Sequence, residues 1–126
     1  MARYYHLSTR VALEELRPRV TPRDHRLAQE PPIKRVCLSR HILGCLRALQ
    51  VVDATEYFVY AVDLDNSSGL LPNKYVRMFV PDAKYTGEVW LLHTTPCLCL
   101  GAVKSNGFHF MGEKYNYTWT LDYRKD

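Results

Sequence analysis

The stretch KRVCLSRHILGCLRAL, Lys34 to Leu49, carries two periodicities back to back. Lys34 to Leu38 reads as a strand. In RHILGCLRAL the residues Ile42, Leu43, Cys45, Leu46 and Leu49 fall at i, i+1, i+3, i+4 and i+7, the apolar stripe of an amphipathic helix. Ser39 stands between the two, placed as the helix N-cap. A strand that passes through a serine straight into a helix makes the chain mixed in class, and the flanking sequence decides how the two kinds of element are arranged.

Upstream, Arg3 to Leu7 of RYYHLST reads as a first strand, with Tyr4 and His6 on one face and Tyr5 and Leu7 on the other. Val11 to Leu16 has the spacing of a short helix, begun by Ser8 or Thr9 and stopped before Pro18. Four prolines and many charges between Pro18 and Pro32 preclude a long regular element. A connection of that length in so small a domain tends to carry function.

Downstream the chain turns to β-structure. EYFVYAVDL, Glu56 to Leu64, is rich in aromatic and β-branched residues and ends at the turn-forming DNSSG. Further strands are predicted at Val76–Val80, Glu88–His93, Leu98–Lys104 and Asn116–Asp122. Two short N-terminal helices followed by many strands predict an α+β domain with a predominantly antiparallel split or curved β-sheet, resembling a sandwich-like half-barrel. The 126 residues correspond to a single domain, 1–126.

The chain is 47% hydrophobic and 24% charged, and no apolar run approaches the roughly 20 residues of a membrane span. The first residues do not read as a signal peptide, so a cytoplasmic protein that meets no membrane is expected. Cys37, Cys45, Cys97 and Cys99 read as free thiols in apolar surroundings. His93 with Cys97 and Cys99 lacks the paired spacing of a zinc site, and no metal site is expected.

The net charge of +4 is unevenly spread. Residues 1–50 hold ten Lys and Arg against four Asp and Glu; the remainder hold seven against nine. The basic half contains RPRVTPRDHR, Arg17 to Arg26, suited to phosphates of a dinucleotide or nucleic acid, or to an acidic protein surface. Gly-x-Gly-x-x-Gly, Gly-x-x-x-x-Gly-Lys-Ser/Thr, His-Glu-x-x-His and Gly-x-Ser-x-Gly are all missing, which removes the main support for Rossmann, P-loop, zincin and serine-hydrolase readings. What remains is YYHLS on the first strand, VCLS running into a helix, and TGEVW, with Glu88 opening a late strand.

That order resembles the ADP-ribosyltransferase family, in particular its diphtheria-toxin-like branch. There Tyr-His-Gly-Thr on the first strand holds NAD, and YYHLS is similar, with Leu7 in place of the glycine. The layout covers most of the chain and rests on three short clusters. Small phage-encoded proteins of this family, some acting against host defence, share the size and the alternation of elements.

The resemblance implies NAD as a substrate, with Glu88 as the catalytic carboxylate that stabilises positive charge developing on the ribose. It implies His6 and Ser8 on the ribose and nicotinamide amide, and Ser39 supporting the nicotinamide ribose or orienting Glu88. Arg17 and Arg19 would lie near the pyrophosphate, and Tyr57, Tyr60 or Tyr85 would supply the stacking face, with Tyr57 assigned to it. The acceptor implied is a protein target, or alternatively a nucleic acid, reached in the host cytoplasm if the protein is phage-encoded.

Two departures stand out. The family branch has spaced tyrosines on the helix after its second strand, and RHILGCLRAL has none. Thr86, two before Glu88, stands where arginine-modifying branches carry an acidic or amide residue, which disfavours an arginine acceptor. The alternative reading is a non-catalytic binding or inhibitor module that docks through the basic 17–26 loop.

Overall fold

Glu56–Leu64 forms the spine of the molecule, and its consecutive residues Val59, Tyr60, Ala61 and Val62 are all buried. A strand sunk on both faces needs a layer on each side, and the remaining elements supply them. The computed structural model describes residues 2–20, 32–49, 55–65, 69–106 and 116–124. In chain order the elements are β1 (Ala2–Ser8), β2 (Glu15–Leu16), β3 (Val36–Leu38), α1 (Ile42–Leu49), β4 (Glu56–Leu64), β5 (Leu70–Leu71), α2 (Asn73–Phe79), α3 (Ala83–Thr86), β6 (Val89–Leu91), β7 (Thr95–Pro96), β8 (Leu98–Ser105) and β9 (Tyr117–Asp122).

Among the described residues all strand pairs are antiparallel. One sheet has the order β1-β4-β8-β9, a second β3-β6-β5, and β2 pairs with β7 as a two-stranded ribbon. The backbones of the two larger sheets are joined at a bridge where Tyr5 and Ser39 exchange hydrogen bonds of 2.7 and 3.0 Å. The domain is therefore α+β with antiparallel sheets and few short helices.

Strand alternation sorts the side chains into three cores. On one face of the four-stranded sheet, Leu7, Val59, Ala61, Leu100 and Val103 pack against Ile42, Cys45 and Leu46 of α1. On its other face Tyr60, Val62 and Leu64 meet Val36, Leu38, Val89 and Leu91 of the second sheet, with Leu16. The outward residues of that second sheet, Cys37 and Trp90, take Val76 of α2 and Ala83 of α3. Each strand of the second sheet thus contributes alternate residues to different cores.

Two sequence expectations fail. Val11–Leu16 is not a helix, so only one of the two expected N-terminal helices forms among the described residues. The buried Tyr60 hydroxyl donates to Arg10 O at 2.6 Å and accepts from Leu13 N at 3.4 Å, which holds this segment in an irregular crossing with Ala12 at φ 56°. Ser8 makes a turn instead of a cap, accepting from Arg10 N at 3.1 Å. Leu16 then enters the inter-sheet core as part of β2. One six-residue stretch has too few internal bonds to offset helix nucleation, and the tertiary partners decide.

The strand expected at Val76–Val80 is instead helical through Phe79, as the end of α2, with Val80 its C-cap. Aromatic and β-branched content suggested a strand, but the burial follows a helical period. Asn73, Val76, Phe79 and Val80 turn inward while Lys74, Tyr75, Arg77 and Met78 face out. The expected strands at Arg3–Leu7, Lys34–Leu38, Glu88–His93, Leu98–Lys104 and Asn116–Asp122 are present with shifted ends, and Glu56–Leu64 keeps its bounds. Much of the DNSSG turn, residues 66–68, lies outside the described residues, as does 21–26 of the basic segment. Among the described residues no helix is long and apolar enough to cross a membrane. The four cysteines are free.

Candidate active site

A cleft of about 1390 Å³ is walled by β1, the 10–20 segment, β3, the C-terminal half of α1 and the turn from α3 to β6. Its lining includes His6, Ser8, Arg17, Arg19, Ser39 and Glu88, six of the seven residues singled out from the sequence. Tyr57 does not line it: on β4 it shares the Val59 and Ala61 face and packs into the core beneath α1. The stacking role assigned to it is therefore misplaced.

His6 lies where β1 passes the end of β3. Its Nδ1 is 2.9 Å from Cys37 O. A carbonyl only accepts, so Nδ1 carries the proton and Nε2 is left as an acceptor. Burial holds the His6 pKa below its ordinary value, outweighing the bond to Cys37 O that raises it, and Arg19 adds to the lowering. The imidazole is neutral at pH 7, in a fixed tautomer.

Ser39 is 2% exposed, and its hydroxyl donates to Thr86 O at 2.9 Å while accepting from His41 N at 3.3 Å. It thus serves the entry to α1 and ties it to the end of α3. Gly44 makes this closeness feasible: a Cβ there would stand 2.3 Å from Thr86 O and 2.4 Å from Ser39 Oγ. Gly87, at φ 70°, caps α3 in the left-handed region and turns the chain into Glu88.

Glu88 is held on several sides. Its Oε2 accepts from Trp90 Nε1 at 2.5 Å, and its backbone N–H donates to Thr86 Oγ1 at 3.3 Å. Asn73 Nδ2 lies 2.9 Å from both Glu88 O and Ala83 O, so it braces α3 against the start of β6. The Arg35 guanidinium sits 4.0 Å from the centre of the Trp90 ring, and Phe79 stacks on the same ring at 6.0 Å. Burial, reinforced by the Glu88 carboxylate, pushes the Cys37 thiol well above its usual range despite Arg35. Burial likewise pushes the Cys45 thiol up to about 12.

Among the described residues five arginines line the cleft, Arg10, Arg17, Arg19, Arg35 and Arg47. Arg17 pairs with Glu15 at 2.6 Å, and the backbone of Arg19 bridges to that of Arg35 with bonds of 3.0 Å. That bridge lays the start of the basic segment along β3. Arg10, Arg35, Arg47, Asn73 and Trp90 were not singled out in the sequence. Trp90 had a signal, for two residues along a strand share one face with Glu88. Gly44 also had one, as an interior helical glycine flags close packing. Among the described residues no group of His, Cys, Asp and Glu is arranged to hold a metal ion.

Compared with family models, with curated proteins and with solved structures, the chain matches none. The functional reading stands on the cleft itself.

Proposed function

We propose that the protein is an NAD-consuming ADP-ribosyltransferase with an ADP-ribosyltransferase-like fold, whose split between sheets falls at the Tyr5–Ser39 bridge. The observation that carries this reading is the shared cleft of His6, Ser8, Ser39 and Glu88, drawn from three separate places in the chain. Its volume exceeds the roughly 300–1,000 Å³ of small-molecule sites and suits an extended dinucleotide.

His6 accepts a ribose hydroxyl at Nε2, its other nitrogen being committed to Cys37 O. Ser8 engages the amide of the nicotinamide. Arg17 and Arg19, with Arg10 and Arg47 of the same lining, supply donors to the pyrophosphate. Breaking the glycosidic bond leaves its electron pair on the nicotinamide nitrogen and develops positive charge at C1′ of the ribose. The Glu88 carboxylate stabilises that charge, and Trp90 fixes its orientation through Oε2. The acceptor nucleophile then bonds to C1′ and gives up its proton to water. Ser39, with its donor spent on Thr86 O, acts through the position of Glu88.

The test is incubation with NAD labelled in the adenylate half, following nicotinamide release and label transfer. Glu88→Ala is expected to slow release by about 100-fold or more while NAD still binds. Equal rates in the two proteins would refute the role of Glu88, and failure of the wild type to bind NAD would remove the reading altogether.

A further inference from the structure

We infer that the outer face of α2 and α3 binds single-stranded nucleic acid and feeds it to the cleft as acceptor; the acceptor clause rests on the transferase reading, the binding clause does not. Val76 and Ala83 turn inward onto Trp90. The opposite side presents Lys74, Tyr75, Arg77, Met78, Lys84 and Tyr85, all exposed. Met78 is 72%, Tyr85 68% and Tyr75 46% exposed, high values for side chains of this size.

The charge here runs against its surroundings. Residues 51–126 carry seven Lys and Arg against nine Asp and Glu, yet three of those seven cations fall between Lys74 and Lys84, beside Asp82 alone. None of the three is ion-paired among the described residues. Lys74, Arg77 and Lys84 line a shallow groove of about 420 Å³ together with Met78 and Pro81. The Lys74 ammonium lies 4.9 Å from the Tyr75 ring centre, and that of Lys84 lies 4.8 Å from Tyr85.

An acidic peptide would use the cations and leave the rings and Met78 without a purpose. A single strand of nucleic acid uses both, with phosphates on the cations and bases on the aromatic faces. The groove and the cleft meet at the turn between α2 and α3. Pro81 and Lys84 line the groove, while their neighbours Asp82 and Ala83 line the cleft, and α3 runs directly into Glu88. A strand lying on this face would enter the cleft across the turn at Pro81 and Asp82, where the two linings are neighbours.

The experiment is fluorescence anisotropy with labelled mixed-sequence twelve-nucleotide DNA and RNA single strands, and oligo-glutamate as competitor. Binding is expected in both arms, with a slope of log K against log salt of about −2 for three phosphate contacts. The triple variant Lys74→Glu, Arg77→Glu, Lys84→Glu is expected to lose binding by well over tenfold with its unfolding midpoint little changed. Tyr85→Ala is expected to weaken binding about tenfold. Absence of binding, equal binding by the triple variant, or competition by oligo-glutamate as strong as by unlabelled oligonucleotide would overturn the inference. If oligonucleotide binds through this face and NAD is cleaved without label reaching it, the acceptor clause is overturned. If NAD is not cleaved, the transferase reading fails while the nucleic-acid face stands.

Discussion

Replacing Gly44 by alanine sets two effects of opposite sign against each other. Alanine is favoured over glycine in a helix interior by about 1 kcal/mol, so propensity alone predicts a more stable protein. The new Cβ, however, would stand 2.3 Å from Thr86 O and 2.4 Å from Ser39 Oγ. That is about 1 Å inside ordinary contact, and the nearer atom is backbone. Relief requires α1 to move off the seam or the Ser39–Thr86 hydrogen bond to break. Overpacking of this kind costs about 1–3 kcal/mol and the lost bond about 1 kcal/mol. Net destabilisation of about 2 kcal/mol is expected, a fall in Tm of roughly 6–10 °C for a domain of this size. Urea unfolding measures it, with Ala48→Gly on the exposed side of the same helix as the control that reports propensity alone. A Gly44→Ala protein as stable as the wild type, or more so, would refute the close approach of α1 to α3. Displacing Thr86 should also disturb Glu88, so nicotinamide release should slow in the same variant.

Tyr60→Phe should cost about 1–2 kcal/mol, because the carbonyl of Arg10 loses its buried donor, and exchange of the Leu13 amide should accelerate; unchanged stability would remove Tyr60 as the clamp. The pH dependence follows from His6, whose folded pKa is lowered by burial, so that below about pH 6.5 the unfolded chain takes up a proton the native state refuses. Stability therefore falls as pH drops through that value, by at most about 1.4 kcal/mol per pH unit for this group, until native His6 protonates as well. His6→Asn, which keeps a donor near Cys37 O, should show a smaller drop in urea midpoint between pH 7.5 and 5.5. Cys45, with its thiol pushed up to about 12, and Cys37, also raised, should resist an aromatic disulfide reagent at pH 8 until the protein unfolds, as mapped by mass spectrometry; Cys97 and Cys99 should react earlier.

Elements whose periodicity is strong and local were legible in the sequence. The helix after Ser39 and the strand from Glu56 both formed because their apolar patterns agree with the faces they bury. The 11–16 segment was misread because its partner is the hydroxyl of Tyr60, some fifty residues away and invisible to local spacing. Residues 76–80 were misread because β-branched and aromatic content outweighed the spacing of Val76 and Val80, with Pro72 and Pro81 at the boundaries. In the site, residue types were legible and their juxtaposition was not. Glu88 meets His6 in one cleft only because β3 pairs with β6 and touches β1 at Ser39. Tyr57 could have been assigned to the core from alternation alone, for it shares a face with Val59 and Ala61.

The three cores divide labour in a way that bears on how the protein can change over generations. β4 feeds the two larger cores from its opposite faces, so an alteration at Val59 or Tyr60 is felt on a side holding α1 or on a side holding the second sheet. The outer residues of α2 and α3 sit over the smallest core and contribute little to it, and Lys74, Arg77 and Lys84 among them line the outer groove. Drift at Lys74, Tyr75, Arg77, Lys84 or Tyr85 is thus nearly free of stability cost. A lineage can vary the chemistry of this outer groove while the spine that folds the domain stays untouched.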